Sequence, residues 1–372
     1  MRADEIVWGR APARLDLSGG WTDTPPYTLE FGGCVLNAAV DLNGQPPVQA
    51  FARVIDEPII RISSIDQGAS LVVSELEQLT GFADAGSEFS LAKAALVLSG
   101  FSPENAEGGR SKQLSAVLRA FGGGIELTTL AAVPKGSGLG TSSIMGAVIL
   151  SILARVVGRE LEGEELFHAV LQLEQMLTTG GGWQDQIGGV VDGLKLVRTL
   201  PGMVPKPEIE FIPHGVLEPA DNGGRTLLYY TGITRLAKNI LSKVVGRYLD
   251  RQPSAMATLA RIRELVPRTA AAVARRDLAA FGECIHEAWS LNKQLDPDSS
   301  NEEVEEILAR VRPYVCGAKL LGAGGGGFLL LVCKSPRDAA KIRADLEARP
   351  PNSRARFFPF HVNLEGLRVT TC

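Results

Sequence analysis

The stretch Pro134-Lys135-Gly136-Ser137-Gly138-Leu139-Gly140-Thr141-Ser142-Ser143 constrains this chain more than any other. Before it, Ile125 to Val133 alternates apolar or β-branched residues with polar ones, which is a strand pattern. After it, Ile144 to Val157 is mostly apolar and free of proline, which reads as a buried helix. The chain must therefore pass from strand to helix through Gly136, Gly138 and Gly140. Glycine lets the backbone approach an anion with no Cβ in the way, Thr141 to Ser143 can cap the helix, and the first-turn N–H groups point outward at the positive end of the helix dipole. The stretch fits a phosphate cradle and also an ordinary tight connection, and the loop alone does not separate the two.

With 372 residues the chain can bury a large core, and the length favours two domains or one large α/β body. A net charge of −4 leaves no basic footprint for nucleic acid and no polybasic surface for anionic lipid, so a small molecule is the expected partner. Cys34, Cys284, Cys316, Cys333 and Cys372 are scattered and never spaced C-x-x-C, against a disulfide framework or a zinc site. His168, His214, His286 and His361 match no metal-ligand spacing and no Ser-His-Asp order. Met1 to Arg14 lacks the basic start and apolar run of an export signal, and the apolar run Ile144 to Val157 is too short to span a bilayer. The expectation is a soluble, cytoplasmic protein.

Three further stretches carry chemistry. Ile6 to Leu17 has a strand pattern and enters Ser18-Gly19-Gly20-Trp21-Thr22-Asp23-Thr24-Pro25-Pro26-Tyr27, a loop mixing donors, acceptors and flat apolar faces as pocket walls do. Arg14 and Asp16 lie two residues apart on that strand and share a face, either toward a site or as a solvated pair on an edge. A helix from Glu164 to Leu177 ends in Thr178-Thr179-Gly180-Gly181-Gly182-Trp183-Gln184-Asp185-Gln186, an acid between two amides beside glycine. Glu174, near the C-terminal end of that helix, opposes the dipole and needs a cation or solvent. Late in the chain, Lys319-Leu320-Leu321 and Phe328 to Val332 read as two strands joined by Gly322-Ala323-Gly324-Gly325-Gly326-Gly327. More glycine stands there than a hairpin needs, so another group must approach the backbone.

Elsewhere, helices are expected at Ser90 to Leu98, Lys238 to Leu249, Met256 to Leu265, Ala271 to Leu291, Glu302 to Arg312 and Pro336 to Ala348, with a last strand at Arg354 to Val362. Glu104 to Lys112 reads as a surface loop. Pro201 to Pro219 is proline-rich and aperiodic, and it places the softest boundary near residue 220.

Taken in order, the Pro12-to-Asp23 stretch, the Pro134-to-Ser143 loop and the Lys319-to-Gly327 loop resemble the three signature motifs of the superfamily of galactokinase, homoserine kinase, mevalonate kinase and phosphomevalonate kinase, the GHMP kinases. The Walker pattern and the protein-kinase signatures are absent. Within that superfamily, Ser18 to Pro26, Asp41-Leu42-Asn43-Gly44-Gln45-Pro46-Pro47, Ser63-Ser64-Ile65-Asp66 and Leu177 to Gln186 resemble the fucokinases. Galactokinases have Glu-His-Thr-Asp where this chain has Gly20-Trp21-Thr22-Asp23.

The resemblance implies an α+β, two-lobed GHMP kinase fold. A ribosomal protein S5 domain 2-like lobe would cover residues 1–220 with the first two motifs, and a ferredoxin-like, helix-rich lobe would cover residues 221–372 with the third. It implies ATP and Mg2+ as cofactor and metal, transfer to the anomeric hydroxyl of L-fucose, and in other chains fusion to, or work with, a GDP-fucose pyrophosphorylase. Asp185 with Arg14 matches the catalytic pair; Ser142 and Glu174 match the magnesium ligands. Lys135, Gly136, Ser137, Gly138, Leu139, Gly140, Thr141, Ser142, Ser143, Gly324 and Gly325 match the phosphate loops. Asp16, Trp21, Asp23, Gly182, Trp183 and Tyr230 are the expected sugar contacts. A heptose 7-phosphate 1-kinase, another sugar 1-kinase, or a sensor of the same fold without turnover would share much of this pattern.

Overall fold

The computed structural model describes residues 5–83, 89–102, 113–134, 136–177, 180–234 and 237–372, with side chains at 237–239 excepted. The loop expected at Glu104 to Lys112, and Lys135, Thr178 and Thr179, lie outside these residues. In chain order the first half runs β1 (Val7–Ala11), β2 (Ala13–Ser18), α1 (Tyr27–Phe31), β3 (Cys34–Leu42), β4 (Val48–Ile55), β5 (Ile60–Ser64), β6 (Ala69–Val73), α2 (Leu76–Thr80), α3 (Ser90–Leu98), α4 (Leu114–Phe121), β7 (Gly124–Ala131), α5 (Thr141–Val156), α6 (Gly163–Met176), α7 (Gln184–Gly188), β8 (Leu194–Arg198) and β9 (Glu208–Ile212). The second half adds β10 (Thr226–Tyr230), α8 (Ala237–Leu249), α9 (Pro253–Ala274), α10 (Leu278–Leu295), α11 (Glu302–Val311), β11 (Val315–Leu320), β12 (Phe328–Cys333), α12 (Pro336–Ala348), β13 (Arg356–Phe358), β14 (Phe360–Val362) and β15 (Arg368–Thr371).

Three sheets organise the α+β fold. One has the order β15-β1-β4-β7-β5-β6, a second β14-β3-β8-β9 with β2 also on β3, and a third β11-β12-β10-β13. In the third, the strands stand second, third, first and fourth by sequence, antiparallel throughout, as in a ferredoxin-like sheet. Helix α5 is nearly all apolar because it is covered on every side: Ile144, Val148 and Ile152 join the core of the first sheet, and α6 lies against it. Among the described residues no helix is long and apolar enough to cross a membrane.

Several elements differ from the sequence expectation. The expected division at residue 220 sent everything after it to the second lobe, yet β14 pairs with β3 and β15 with β1. The C-terminal strands thus close two sheets of the first lobe, by long-range pairing that no local pattern records. The aperiodic stretch Pro201 to Pro219 contains β9, an exposed strand at the sheet edge that pairs with β8. Helix α9 continues through Pro267, although proline removes one backbone donor, because Leu259, Ile262, Leu265, Val266, Ala270 and Val273 all bury on one side. The break comes instead at Arg276, in the left-handed region at φ 55, followed by Asp277, which accepts from Ala280 N and caps α10.

Candidate active site

Strand β2 has every residue buried, since both of its faces are covered. It holds Arg14 and Asp16 at 3% and 2% exposure, so the solvated reading of this pair fails. Arg14 N donates to Leu139 O at 3.1 Å, tying the strand to the Gly136–Gly140 loop. The Arg14 guanidinium is ion-paired with Asp185. Burial pulls the Arg14 pKa down, but Asp185 and then Asp16 pull it up more strongly, and the net direction is up. Asp16 Oδ2 accepts from Lys319 Nζ at 2.7 Å, and Asp16 O accepts from the same ammonium at 2.8 Å.

The loop after β2 folds on its own polar groups. Thr22 Oγ1 donates to Gly19 O and Cys34 O at 2.7 and 2.9 Å, and Asp23 Oδ1 accepts from Trp21 N at 3.1 Å. Asp23 also accepts from Gln184 N at 3.2 Å and Gln184 Nε2 at 3.3 Å. Gly182 is required here, because a Cβ would collide with Asp23 Oδ2. Burial first, then the charge of Asp185, pushes the Asp23 carboxyl up to about 7.

The two glycine loops interlock. Gly322 (φ +72) stands so close that a Cβ would lie 2.7 Å from Gly138 Cα, and Phe328 N donates to Ser137 O at 3.2 Å. Gly325 N donates to Ser299 O at 2.6 Å. The groups that approach the second glycine run thus include the first glycine loop and the carbonyls of Ser299 and Ile233.

A cavity of about 370 Å³ opens between these elements. Its polar wall includes Arg14, Asp16, Asp23, Glu174 and Asp185. Gly138, Gly140, Ser142 and Ser143 enter from the first glycine loop and the start of α5, and Gly322 and Ala323 from the second glycine loop. Trp21, Leu177 and Leu241 supply apolar surface. Asp185 also touches the loop directly, since a Cβ on Gly140 would sit 3.0 Å from its carboxyl carbon. A second cavity, of about 530 Å³, shares Ser142 with the first and has Gly136, Thr141, Phe89, Met145 and Ile149 on its wall.

Glu174 accepts from Ser143 Oγ and, at 2.8 Å, from Gln186 Nε2. Burial first, then the Asp185 and Asp23 charges, pushes Glu174 up to about 7, against the pull of its two donors. A carboxylate and hydroxyl oxygens inside an acidic wall suit a hard cation that keeps several waters, so these residues fit Mg2+.

The structure brings together most of the expected site residues, with corrections. Trp183 is 2% exposed, packs with Phe167, Ile187 and Val197, and donates Nε1 to Thr28 Oγ1 at 3.0 Å; it is core, not sugar wall. Tyr230 is buried between Phe328 and Phe358, because β10 is central in its sheet. Leu139 is an apolar anchor with no exposure, offering backbone only, and Ser137 is buried behind the loop. The hydroxyl facing Glu174 is that of Ser143, with Ser142 on the cavity wall beside it. Gly324 is packed on Ser299, while Gly322 and Ala323 face the cavity in place of Gly324 and Gly325. The sequence assigned no role to Lys319 or Leu241, and the two amides flanking Asp185, Gln184 and Gln186, bond to Asp23 and Glu174 rather than to the acid between them. The signal for Lys319 was present, a lysine inside an apolar strand directly before the third glycine run.

The profile described as GHMP kinases N terminal domain matches residues 111–193, and the one described as GHMP kinases C terminal matches residues 269–352. The chain belongs to the GHMP kinase family. L-fucokinase/L-fucose-1-P guanylyltransferase of Bacteroides fragilis is 42% identical to this chain over 368 residues, covering 99% of this chain and 39% of that protein. Bifunctional fucokinase/GDP-fucose pyrophosphorylase of Arabidopsis thaliana is 35% identical over 336 residues, 90% of this chain and 30% of that protein. The chain thus spans well under half the length of these relatives. A crystal structure of D-glycero-D-manno-heptose 1-phosphate kinase from Bacteroides thetaiotaomicron has the same fold, with a TM-score of 0.71 over 98% of both chains at 20% identity.

Proposed function

We propose that this chain transfers the γ-phosphoryl group of ATP to the anomeric hydroxyl of L-fucose, giving L-fucose 1-phosphate and ADP. The observation that carries the reading is the Arg14–Asp185 ion pair on the wall of a cavity that both glycine loops also line. Phosphoryl transfer needs positioning and charge neutralisation more than covalent chemistry from the protein. Asp185 orients the sugar hydroxyl and takes its proton as the new O–P bond forms and the bond to the β-phosphate oxygen breaks. Arg14 holds the Asp185 carboxylate in place through their ion pair and offsets charge on the transferring group. Gly136 to Thr141 present backbone N–H groups to the phosphates, and the neighbouring cavity at Phe89, Met145 and Ile149 seats the base.

Glu174 with Ser143 and Ser142 would hold Mg2+, which would supply charge neutralisation for the transferred phosphoryl group. Asp23 and Asp16 accept sugar hydroxyls, and Trp21, Leu241 and Ala323 give a 6-deoxy sugar an apolar surface. The identity to the two fucokinase relatives supports L-fucose as the acceptor. L-fucose 1-phosphate would be consumed by a guanylyltransferase, fused or separate, as the names of those relatives describe.

An ADP-release assay across L-fucose, D-arabinose, galactose and heptose 7-phosphate tests this. Turnover is expected to be fastest with L-fucose. Preference for heptose 7-phosphate would move the substrate, and no ADP with any sugar would point to a sensor. Asp185→Ala should lower kcat by about 10²–10⁴-fold while ATP binding stays within about threefold of wild type, as removing an interaction with the hydroxyl alone requires.

A further inference from the structure

The strand after the Asp185 helix carries a lysine that the mechanism does not use. Lys195, in β8, has no exposure at all. Its Nζ donates to Gly188 O at 3.1 Å and to Gly193 O at 3.3 Å, and among the described residues it makes no ion pair. Burial lowers its pKa to about 7, with only the charge of Asp192 pulling the other way. A buried amine is among the costliest choices where an apolar side chain would fit.

Its two acceptors say what it holds. Gly188 is the last residue of α7, a helix of barely more than one turn, whose closing carbonyls have no intrahelical donors. So short a helix has little stability of its own, and a cationic donor at its negative end satisfies both hydrogen bonding and charge. The other side of Gly188 is equally constrained, since a Cβ there would collide with Arg14 Cγ. A Cβ on Gly189 would collide with Ile144 Cδ1. The end of α7 is thus wedged between the stem of Arg14 and the ammonium of Lys195.

Cross-strand register places Lys195 opposite Asn37, and Asn37 opposite Asp16. Lys195 therefore rises from the sheet face that presents Arg14 and Asp16 to the cavity.

We infer that Lys195 is a positioning residue for phosphoryl transfer: by bridging Gly188 O and Gly193 O it fixes the C-terminal end of α7, and with it the place of the Asp185 carboxylate against Arg14 and Gly140. It touches neither substrate and acts through Asp185. Misplacement of a reacting group by about 1 Å costs about 10²-fold in rate, so losing this brace appears in kcat before it appears in binding. The inference rests on the kinase reading, and the experiment separates the two.

Wild type, Lys195→Met and Lys195→Gln are compared for kcat and KM with L-fucose and ATP, and for backbone hydrogen exchange at residues 184–193 and 141–156. Met keeps most of the unbranched apolar stem of lysine and removes the donors. Gln keeps a donor on an arm one atom shorter, so it cannot reach both carbonyls. The expected result is a kcat lower by about tenfold or more in Lys195→Met, a smaller loss in Lys195→Gln, and both KM values within about threefold. Exchange should quicken at 184–193 and not at 141–156.

Wild-type kcat in Lys195→Met with only a lowered melting temperature would overturn the inference. If Lys195→Met does not fold, Lys195→Gln decides, and wild-type kcat and exchange in that variant overturn it. An inert wild type removes the kinase reading alone. The exchange data then judge Lys195, and unchanged protection at 184–193 overturns the brace.

Discussion

Asp16 and Lys319 meet across 303 positions of sequence, both nearly without exposure, and their ion pair ties the first signature loop to the third. Burial drives the Lys319 pKa down and Asp16 pulls it back up, so the pair is held against a desolvation penalty. Removing one partner strands the other charge. Lys319→Met should therefore cost about 3–5 kcal/mol of unfolding free energy, measured by urea denaturation, and adding Asp16→Asn should recover most of it. A fully additive double mutant would show that the two groups are not coupled in the folded chain. At this scale Arg14, Asp16, Asp23 and Asp185 were legible as residue types in motif order. Lys319 was not read because its partner is remote in sequence. Trp183 and Tyr230 were misread because an aromatic beside a motif looks alike whether it faces a pocket or a core.

Elements locate these residues, and the two glycine loops show how. Their backbones are in contact at Gly138 and Gly322, so the second cradle is shaped by the first. Gly322→Ala introduces a Cβ 2.7 Å from Gly138 Cα and places a non-glycine residue at φ +72. Left-handed backbone alone costs an L-residue about 1–2 kcal/mol, and the displaced loop adds to that. The expected outcome is an ATP KM raised by about tenfold with a smaller change in the L-fucose KM; an unchanged ATP KM would show that the loops tolerate separation. Strands, the Pro134–Ser143 turn and helix α5 were readable from periodicity. Helix α9 was readable only as far as Leu265, because burial of one continuous face carries it past Pro267, where local rules stop a helix.

Across the whole molecule, stability and activity pull on the same acidic wall. Asp23 is raised from 3.8 to about 7, so between those values the folded chain binds a proton that the unfolded chain has released. Its contribution is fully present below about pH 4 and is lost as pH rises through about 7. The melting temperature of the ligand-free chain should fall across that window, and Asp23→Asn should flatten the fall; parallel curves for the two proteins would count against it.

The closing strands β14 and β15 belong to the same scale, returning from the end of the chain to the sheets of its beginning. The sequence by itself determined the glycine cradles, their order and the acids between them, because these are local demands of backbone conformation and charge. Only the tertiary structure decided that the cradles interlock, that Ser143 meets Glu174, that Trp183 is core, and that Lys319 and Lys195 underpin the site. Those outcomes depend on which distant strands share a sheet face, and burial, unlike periodicity, is set by the whole fold at once.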